Sequence, residues 1–303
     1  VALAYNPRAM FLRTMLAAVF ALAAAGFVTE ARAQQPDEFA GQARPLITED
    51  VELIRPGTIR AQAGIAFLQD QNFSLSGLNG DLTRIGEFGV HIGISPNVEL
   101  QIDGTAQDFL AINDQFRPAL IPTNINAMAD DTHDIGDVTI SAKIKLMNEG
   151  KHRPAFGVRI GFQLPNTNQA EGIGTNSINL FSTILASKTI GRFHLMGNLG
   201  LGILQSPTEL FSQNDVILYG AAFRFRVTPR FRIVGEVNGR YSTRVPPPGT
   251  EDLSEGRIGV QVDAAGLHWD AAGTFGFTQW SPNTGVIFGV TYDIKDSFDP
   301  VLK

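Results

Sequence analysis

Cysteine is absent from all 303 residues. That excludes disulfides, thiolate metal sites and lipid attachment at a processed cysteine, and it is compatible with export through an oxidising periplasm. Positive charge is in deficit, with 24 Lys+Arg against 30 Asp+Glu. Nucleic acid is therefore not an expected partner, because phosphate backbones are held by an excess of Lys and Arg. Beyond residue 33 no apolar run is long enough to supply the roughly 20 residues of a membrane-spanning helix. G-x-S-x-G, H-E-x-x-H and Walker-type patterns are missing, and with them the usual signatures of a nucleophile elbow, a zinc protease and a nucleotide site. No His/Asp grouping has metal-ligand spacing, so neither a metal nor another cofactor is expected.

A targeting segment opens the chain. Arg8 and Arg13 supply positive charge, Leu16 to Val28 is apolar, and Ala31-Arg32-Ala33 forms an A-x-A cleavage site before Gln34. Met10 onward alone makes a complete signal peptide. The rival reading, an inner-membrane helix, fails on length. Residues 1–33 hold three basic groups and one acidic group, which leaves 21 basic and 29 acidic groups, a net charge of −8, on the remainder. The expected organisation is a signal peptide over 1–33 and a periplasmic leader or lumen plug over 34–57. A transmembrane barrel follows over 58–294, then a C-terminal tail over 295–303. Pro36, Pro45 and Pro56 limit regular structure in the leader.

Alternation with period two recurs from residue 58 almost to the end. Val138, Ile140, Ala142, Ile144 and Leu146 point one way, and Asp137, Thr139, Ser141, Lys143 and Lys145 the other. Phe156, Val158, Ile160, Phe162 and Leu164 likewise oppose Gly157, Arg159, Gly161 and Gln163. The pattern predicts about twelve strands, near 58–69, 82–94, 98–109, 136–146, 154–164, 177–190, 193–204, 215–227, 231–241, 256–266, 267–277 and 285–294. Each matches the roughly 9–11 residues of a tilted membrane-crossing strand, and an even count suits a single-chain bacterial barrel. Short connections such as Ser95-Pro96-Asn97, Gly191-Arg192 and Thr228-Pro229-Arg230 alternate with long ones at 70–81, 110–135, 165–176, 205–214, 242–255 and 278–284. Outer-membrane barrels have short periplasmic turns and longer external loops.

Aromatic residues sort to the strand ends. Phe67, Phe162, Tyr219, Tyr241 and Phe277 lie near the external ends, and Phe156, Phe193, Phe225, Phe231, Trp269 and Tyr292 near the periplasmic ends. Two such girdles mark the membrane interfaces. Arg84 and Lys188 are expected on the same apolar face, close enough to strand ends to reach headgroups. The fold class is therefore all-β, a transmembrane antiparallel up-and-down barrel of about twelve strands in the outer membrane of a Gram-negative-type bacterium, with outer-membrane lipids as its surroundings. The rival is a soluble β-sandwich, which would bury its apolar face inside and has little reason to place aromatics at strand ends.

Two stretches carry a family resemblance. Asp134-Ile135-Gly136-Asp137-Val138-Thr139-Ile140-Ser141-Ala142-Lys143-Ile144-Lys145-Leu146, followed by a strand ending in Leu164-Pro165, resembles a strand of the family named for the meta-cleavage pathway of phenol degradation. Ala43-Arg44-Pro45-Leu46-Ile47-Thr48-Glu49-Asp50 is similar to that family's opening. The resemblance covers most of 43–294. It implies an outer-membrane barrel taking up aromatic or other hydrophobic compounds, with no defined catalytic residues. It also implies the barrel assembly machinery as a partner. Such barrels usually end on an aromatic residue that this machinery reads, whereas here the last strand ends near Ile294 and Lys295–Lys303 follow.

The polar face should line a lumen. Glu87, Glu99, Asp103 and Asp137 come from the early strands, and Arg159, Arg224, Arg226, Arg232, Arg240 and Arg257 from later ones. Glu87, Asp103, Arg159, Glu236 and Arg240 are the candidates for setting selectivity. Opposed charges across a narrow pore orient dipolar solutes, and the same charges paired with one another would fill the barrel and block it. The long loop 110–135 is apolar, with Leu110, Ile112, Phe116, Leu120, Ile121, Ile125 and Met128. It suits either a greasy gate in the mouth or a loop packed on the rim. His91, His194 and His268 fall on lumenal positions, while His133 and His152 fall in connections, so no histidine faces lipid beside Ser182. The expected function is a non-enzymatic channel or transporter for small-molecule solutes. The alternatives are a structural barrel without transport and a lipid-modifying barrel enzyme.

Overall fold

The computed structural model describes residues 44–126, 129–209 and 211–300. The expected signal peptide and residues 34–43 of the leader lie outside the described residues. Thirteen strands follow one another: β1 (Ile59–Asn72), β2 (Leu78–Ser95), β3 (Val98–Gln115), β4 (Asp131–Asp134), β5 (Thr139–Met147), β6 (Ala155–Gln163), β7 (Asn179–Ile190), β8 (Phe193–Gln205), β9 (Gln213–Thr228), β10 (Phe231–Ser242), β11 (Leu253–Ala264), β12 (Leu267–Gly276) and β13 (Thr284–Ile294). Antiparallel pairing runs around one sheet, and β13 returns to β1 from Ile59↔Ile294 to Gln69↔Thr284. Twelve long strands thus close a barrel. The short β4 lies on the far part of β3, where Asp108 pairs with Asp134.

Burial is inverted relative to a soluble protein. Leu199 and Leu201 are 61% and 63% exposed, while Lys143, Glu99 and Gln101 are fully buried. A β-strand sends alternate side chains to opposite faces. In this barrel the aliphatic set points outward and the polar set inward. A soluble sandwich would show the reverse, and two packed sheets instead of one closed sheet. The short turns use tight geometry: Ala265 and Gly266 both have positive φ (57° and 75°), the type I′ pattern that suits the twist of paired strands.

All twelve expected strands are present, with three departures. First, β2 and β3 run beyond their expected ends, and the tip between β1 and β2 shrinks to residues 73–77. Second, β4 occupies part of what reads as loop 110–135, and His133, expected in a connection, is exposed there beside the Phe109 ring at 5.9 Å. Third, Arg84 is not on the lipid face. Between Gln62↔Gly89 and Ile65↔Ile85, β2 carries one residue more than β1, and Gly86 takes φ +68°. This is a β-bulge, which reverses the facing of everything beyond it. Ile85 accordingly turns outward at 45% exposure, and Leu82 turns in at 2%. Arg84 faces Asp108 at 3.8 Å. The same change of phase recurs on β3, where Phe109 is exposed and Leu110 fully buried. Past the bulge the interior is apolar: Ala66, Leu68, Leu78, Leu82, Leu110 and Ile287 cluster there, with Ile112, Ile125 and Ile173 against them. The apolar loop residues Ile112 and Ile125 therefore pack inward.

Facing assigns tolerance. Ile184 is an outward residue of β7, 58% exposed, and Thr183 beside it points in. Ile184→Lys should impair membrane insertion, since a lipid-facing Lys near the midplane costs about 2–4 kcal/mol. Thr183→Lys should insert as the parent does. A heat-modifiability gel compares them, and equal loss of the compact band in both would contradict the facing.

Candidate functional site

The interior is occupied by the chain's own residues 44–57. Read backwards from β1, this segment visits the inner wall in nearly continuous strand order. Ile54 N–H donates to the Glu99 carboxylate on β3 at 2.8 Å. Glu52 pairs with Lys145 on β5 at 2.8 Å. Val51 packs with Ala155 of β6 and Leu185 of β7, all fully buried. Asp50 meets His194 of β8 at 2.8 Å and Arg224 of β9 at 3.6 Å. Ile47 and Thr48 N–H both donate to the Glu236 carboxylate on β10 at 2.7 Å, and Leu46 joins Met196, Ala222 and Val234. The Pro45 carbonyl accepts from Arg257 of β11 at 2.8 Å. Arg44 ends the circuit on Asp270 of β12 at 3.6 Å and Glu87 of β2 at 3.4 Å. The segment is a coil that goes once around the inside of the barrel, rising from the short-turn end toward mid-height.

Two buried groups anchor it. Lys143 is fully buried between Glu49 at 3.2 Å and Glu99 at 3.3 Å. Glu49 also exchanges backbone hydrogen bonds with Asn198: its N–H donates to Oδ1 at 2.7 Å and its carbonyl accepts from Nδ2 at 2.9 Å. Burial pushes the Glu49 carboxyl up, and Lys143, with Arg159 and His91, outweighs it and brings it down to about 2. Burial likewise opposes ionisation of Asp50, and His194 and Arg224 hold it well below the usual carboxylate range. Buried charges persist only where they are paired in this way.

Of the five predicted site residues, Asp103 and Arg159 are brought together at 3.5 Å, with His91 on Asp103 at 2.8 Å and Gln101 accepting from Arg159 at 2.7 Å. Glu87 and Glu236 hold the coil. Arg240 stands apart, donating to the Glu251 carbonyl at 2.7 Å. Sequence reasoning missed Arg44, Glu49 and Asp50 as partners of the wall, although Glu49, Asp50 and Glu52 cluster charge in a segment with no strand pattern.

At the opposite end the connections converge on residues 74–76. Leu120 N–H donates to the Leu75 carbonyl at 2.7 Å, Ser76 to the Gly172 carbonyl at 2.7 Å, and Gly249 N–H to Ser74 Oγ at 2.8 Å. The Arg117 guanidinium lies 5.7 Å from the ring centroids of both Phe116 and Trp280, a pair of cation–π contacts. Five different connections thus meet over the mouth.

A closed twelve-stranded barrel with an apolar outside and a charged inside is an integral protein of the bacterial outer membrane. The chain belongs to the family described as "Putative MetA-pathway of phenol degradation", whose model matches residues 43–294. Among solved structures it is similar to the COG4313 outer membrane channel from Pseudomonas putida F1, at 13% identity and a TM-score of 0.58, over 81% of this chain and 98% of that one. It is also similar to the KdgM porin, at 8% identity and a TM-score of 0.45, over 78% of this chain and 98% of that one. At these identities the likeness is one of fold. None of the curated proteins matches the chain.

The coil's seating should respond to charge and to acid. A hydrogen bond to a charged group is worth about 1.5–3 kcal/mol, so Glu236→Gln should raise amide exchange at Ile47 and Thr48 roughly tenfold to a hundredfold, measured by mass spectrometry. Carboxyl groups lowered on seating favour the seated state above their ordinary range, and that contribution fades as pH falls toward the seated value. For Glu49 the window runs from its usual 4.5 down to about 2. Exchange protection of residues 46–54 should be flat between neutrality and pH 5 and fall steeply below pH 4.

Proposed function

We propose that the protein is a channel for small solutes whose lumen is closed at rest by the coil of residues 44–57. The observation that carries this reading is the chemistry of the contact. The coil is held by ion pairs and hydrogen bonds to a polar wall at Glu99, Lys143, Lys145, His194, Glu236 and Arg257. Water replaces such bonds one by one when the segment moves, whereas an apolar core would resist displacement as a unit. A barrel of this size lies between filled eight-stranded barrels and open sixteen-stranded porins, so its conductance depends on what occupies it. The apolar interior past the bulge, around Leu82, Leu110 and Ile287, suits solutes with a hydrophobic body. Aromatic or other hydrophobic compounds of small size are the class it favours.

The reading is non-enzymatic. Thr189 Oγ1, His194 and Asp50 do form a chain at 2.9 and 2.8 Å, superficially a nucleophile–base–acid row. Yet the Thr189 N–H, the nearest oxyanion donor, is taken by the Glu149 carboxylate at 3.1 Å. A carboxylate at that point repels the negative charge that acyl transfer develops. The second reading, a permanently closed structural barrel, draws on the buried pairs around Lys143; it predicts that the coil never leaves.

The absence of native cysteine makes a clean test. A Cβ built on Gly220 lies 3.4 Å from the Thr48 Cβ, close to the 3.5–4.5 Å range of disulfides. In Thr48→Cys/Gly220→Cys, oxidation should tether the coil to β9. Single-channel conductance in a planar bilayer should then be low when oxidised and recover on reduction. Equal conductance in both states would show that solutes pass without the coil moving. No conductance in either state, nor in the parent, would favour the structural barrel.

A further inference from the structure

The wall is interrupted beside β3. Pairing of β3 with β5 stops at Asp103↔Thr139, and pairing of β3 with β4 begins only at Asp108↔Asp134. Between them residues 135–138 bow away, held by Gly136 N–H on the Thr105 carbonyl at 3.0 Å and by Val138 N–H on Asn166 Oδ1 at 3.0 Å. Behind this bow is a cavity of about 240 Å³, enough for roughly eight waters at about 30 Å³ each, or for a compact substituted ring. Leu82, Phe73 and Ile173 supply apolar wall, and Arg84, Asp108 and Asp137 the polar part.

The charge in this cavity does not balance. One guanidinium faces two carboxylates. Arg84 leans on Asp108 at 3.8 Å, too long for a hydrogen bond, and both Arg84 Nε and Asp108 Oδ1 are buried without a hydrogen-bond partner. Asp137 has no cation within ion-pair distance among the described residues. Neighbouring Asp134 adds negative charge while spending its own oxygens on the N–H groups of Ile135 and Asn168. Arg240 is the other cation that acts on Asp137, and its Nε is committed to the Glu251 carbonyl. Asp137 is exposed and Asp108 is partly buried, and carboxylates in excess of their cations attract a positive group that can also donate hydrogen bonds.

We propose that this cavity binds small organic cations, with an ammonium head between Asp137 and Asp108 and an apolar body against Leu82, Phe73 and Ile173. The assignment rests on the channel reading and narrows its class of solute: the preferred molecules carry a positive charge on a compact hydrophobic body. Arg84 keeps Asp108 in place and repels a second cation, so one ligand binds per barrel. The Arg84 guanidinium faces Asp108, and an anion entering here would be repelled by Asp108, Asp134 and Asp137.

Isothermal titration of the full-length protein in a neutral detergent tests this with three near-isosteric probes: 2-phenylethylammonium, 2-phenylethanol and 3-phenylpropionate. The ammonium should bind with a stoichiometry near one, and the alcohol and the carboxylate at least tenfold more weakly. Asp137→Asn should weaken the ammonium tenfold or more, with the compact band on heat-modifiability gels as the control for folding. If that variant does not fold, Ile173→Trp, which fills the cavity, should abolish ammonium binding while Leu201→Trp on the lipid face does not. Equal binding of the neutral or anionic probe, or ammonium binding unchanged by Asp137→Asn or by Ile173→Trp, overturns the proposal. The outcomes stay separable from those of the channel test. Ammonium binding with no conductance in any state sinks the channel reading alone, and redox-dependent conductance without ammonium binding sinks this one alone.

Discussion

Everything in this molecule follows from one constraint: a backbone in hydrocarbon has no water to bond with. Every N–H and C=O in the bilayer must find a partner within the protein, and closing the sheet by pairing β13 with β1 is how this chain supplies the last ladder. Closure then dictates the side chains. The outer face meets lipid and takes Leu199, Leu201 and Ile184; the inner face encloses a space that hydrophobic burial alone does not fill, and takes Lys143, Glu99 and Arg232. The polar interior is thus a consequence of the apolar exterior, imposed by the period of two.

A charged interior of modest width creates its own problem. Isolated charges there are costly, and a buried pair often gains little over an apolar replacement. What such pairs do supply is position. Lys143 finds its two carboxylates only with Glu49 in one place along the wall, and Glu236 receives two successive N–H groups only when Ile47 and Thr48 lie across it. The coil is therefore placed by electrostatic register and is not stacked by shape alone. The apolar contacts, Leu46 and Val51, alternate with these polar ones and give it a second, less directional hold.

The barrel was legible in the sequence because its signal is repeated twelve times and each strand is checked by its neighbours. Strand ends such as Phe193 and Phe231 fall where the pattern starts. Arg84 was misread for an equally physical reason: a bulge adds one residue, the period slips, and a polar residue in the wrong phase looks like an outward one. Gly86 was the available clue, since a glycine inside a strand often marks a bulge. The site was only half legible. Asp103 and Arg159 sit on strands, where facing is predictable, and they do meet. Their partners in the coil belong to a segment without periodicity, so nothing in the alternation says which wall residue Glu49 or Asp50 will reach. The extension of β3 to Gln115 was hidden because its far part turns Leu110 and Ile112 inward, against the rule that held for the first half.

The coil's route has a bearing on the order of assembly. Residues 44–57 precede every strand in the chain, yet their partners are spread from Glu87 on β2 to Asp270 on β12. Arg44 needs both of these at once, and they become neighbours across the wall only when β13 has joined β1. The earliest part of this region to be made is thus the last to find its complete set of contacts. Until the ring shuts, Arg44 lacks its complete set of partners, whereas Glu49 and Asp50 meet theirs on strands that pair earlier in the order.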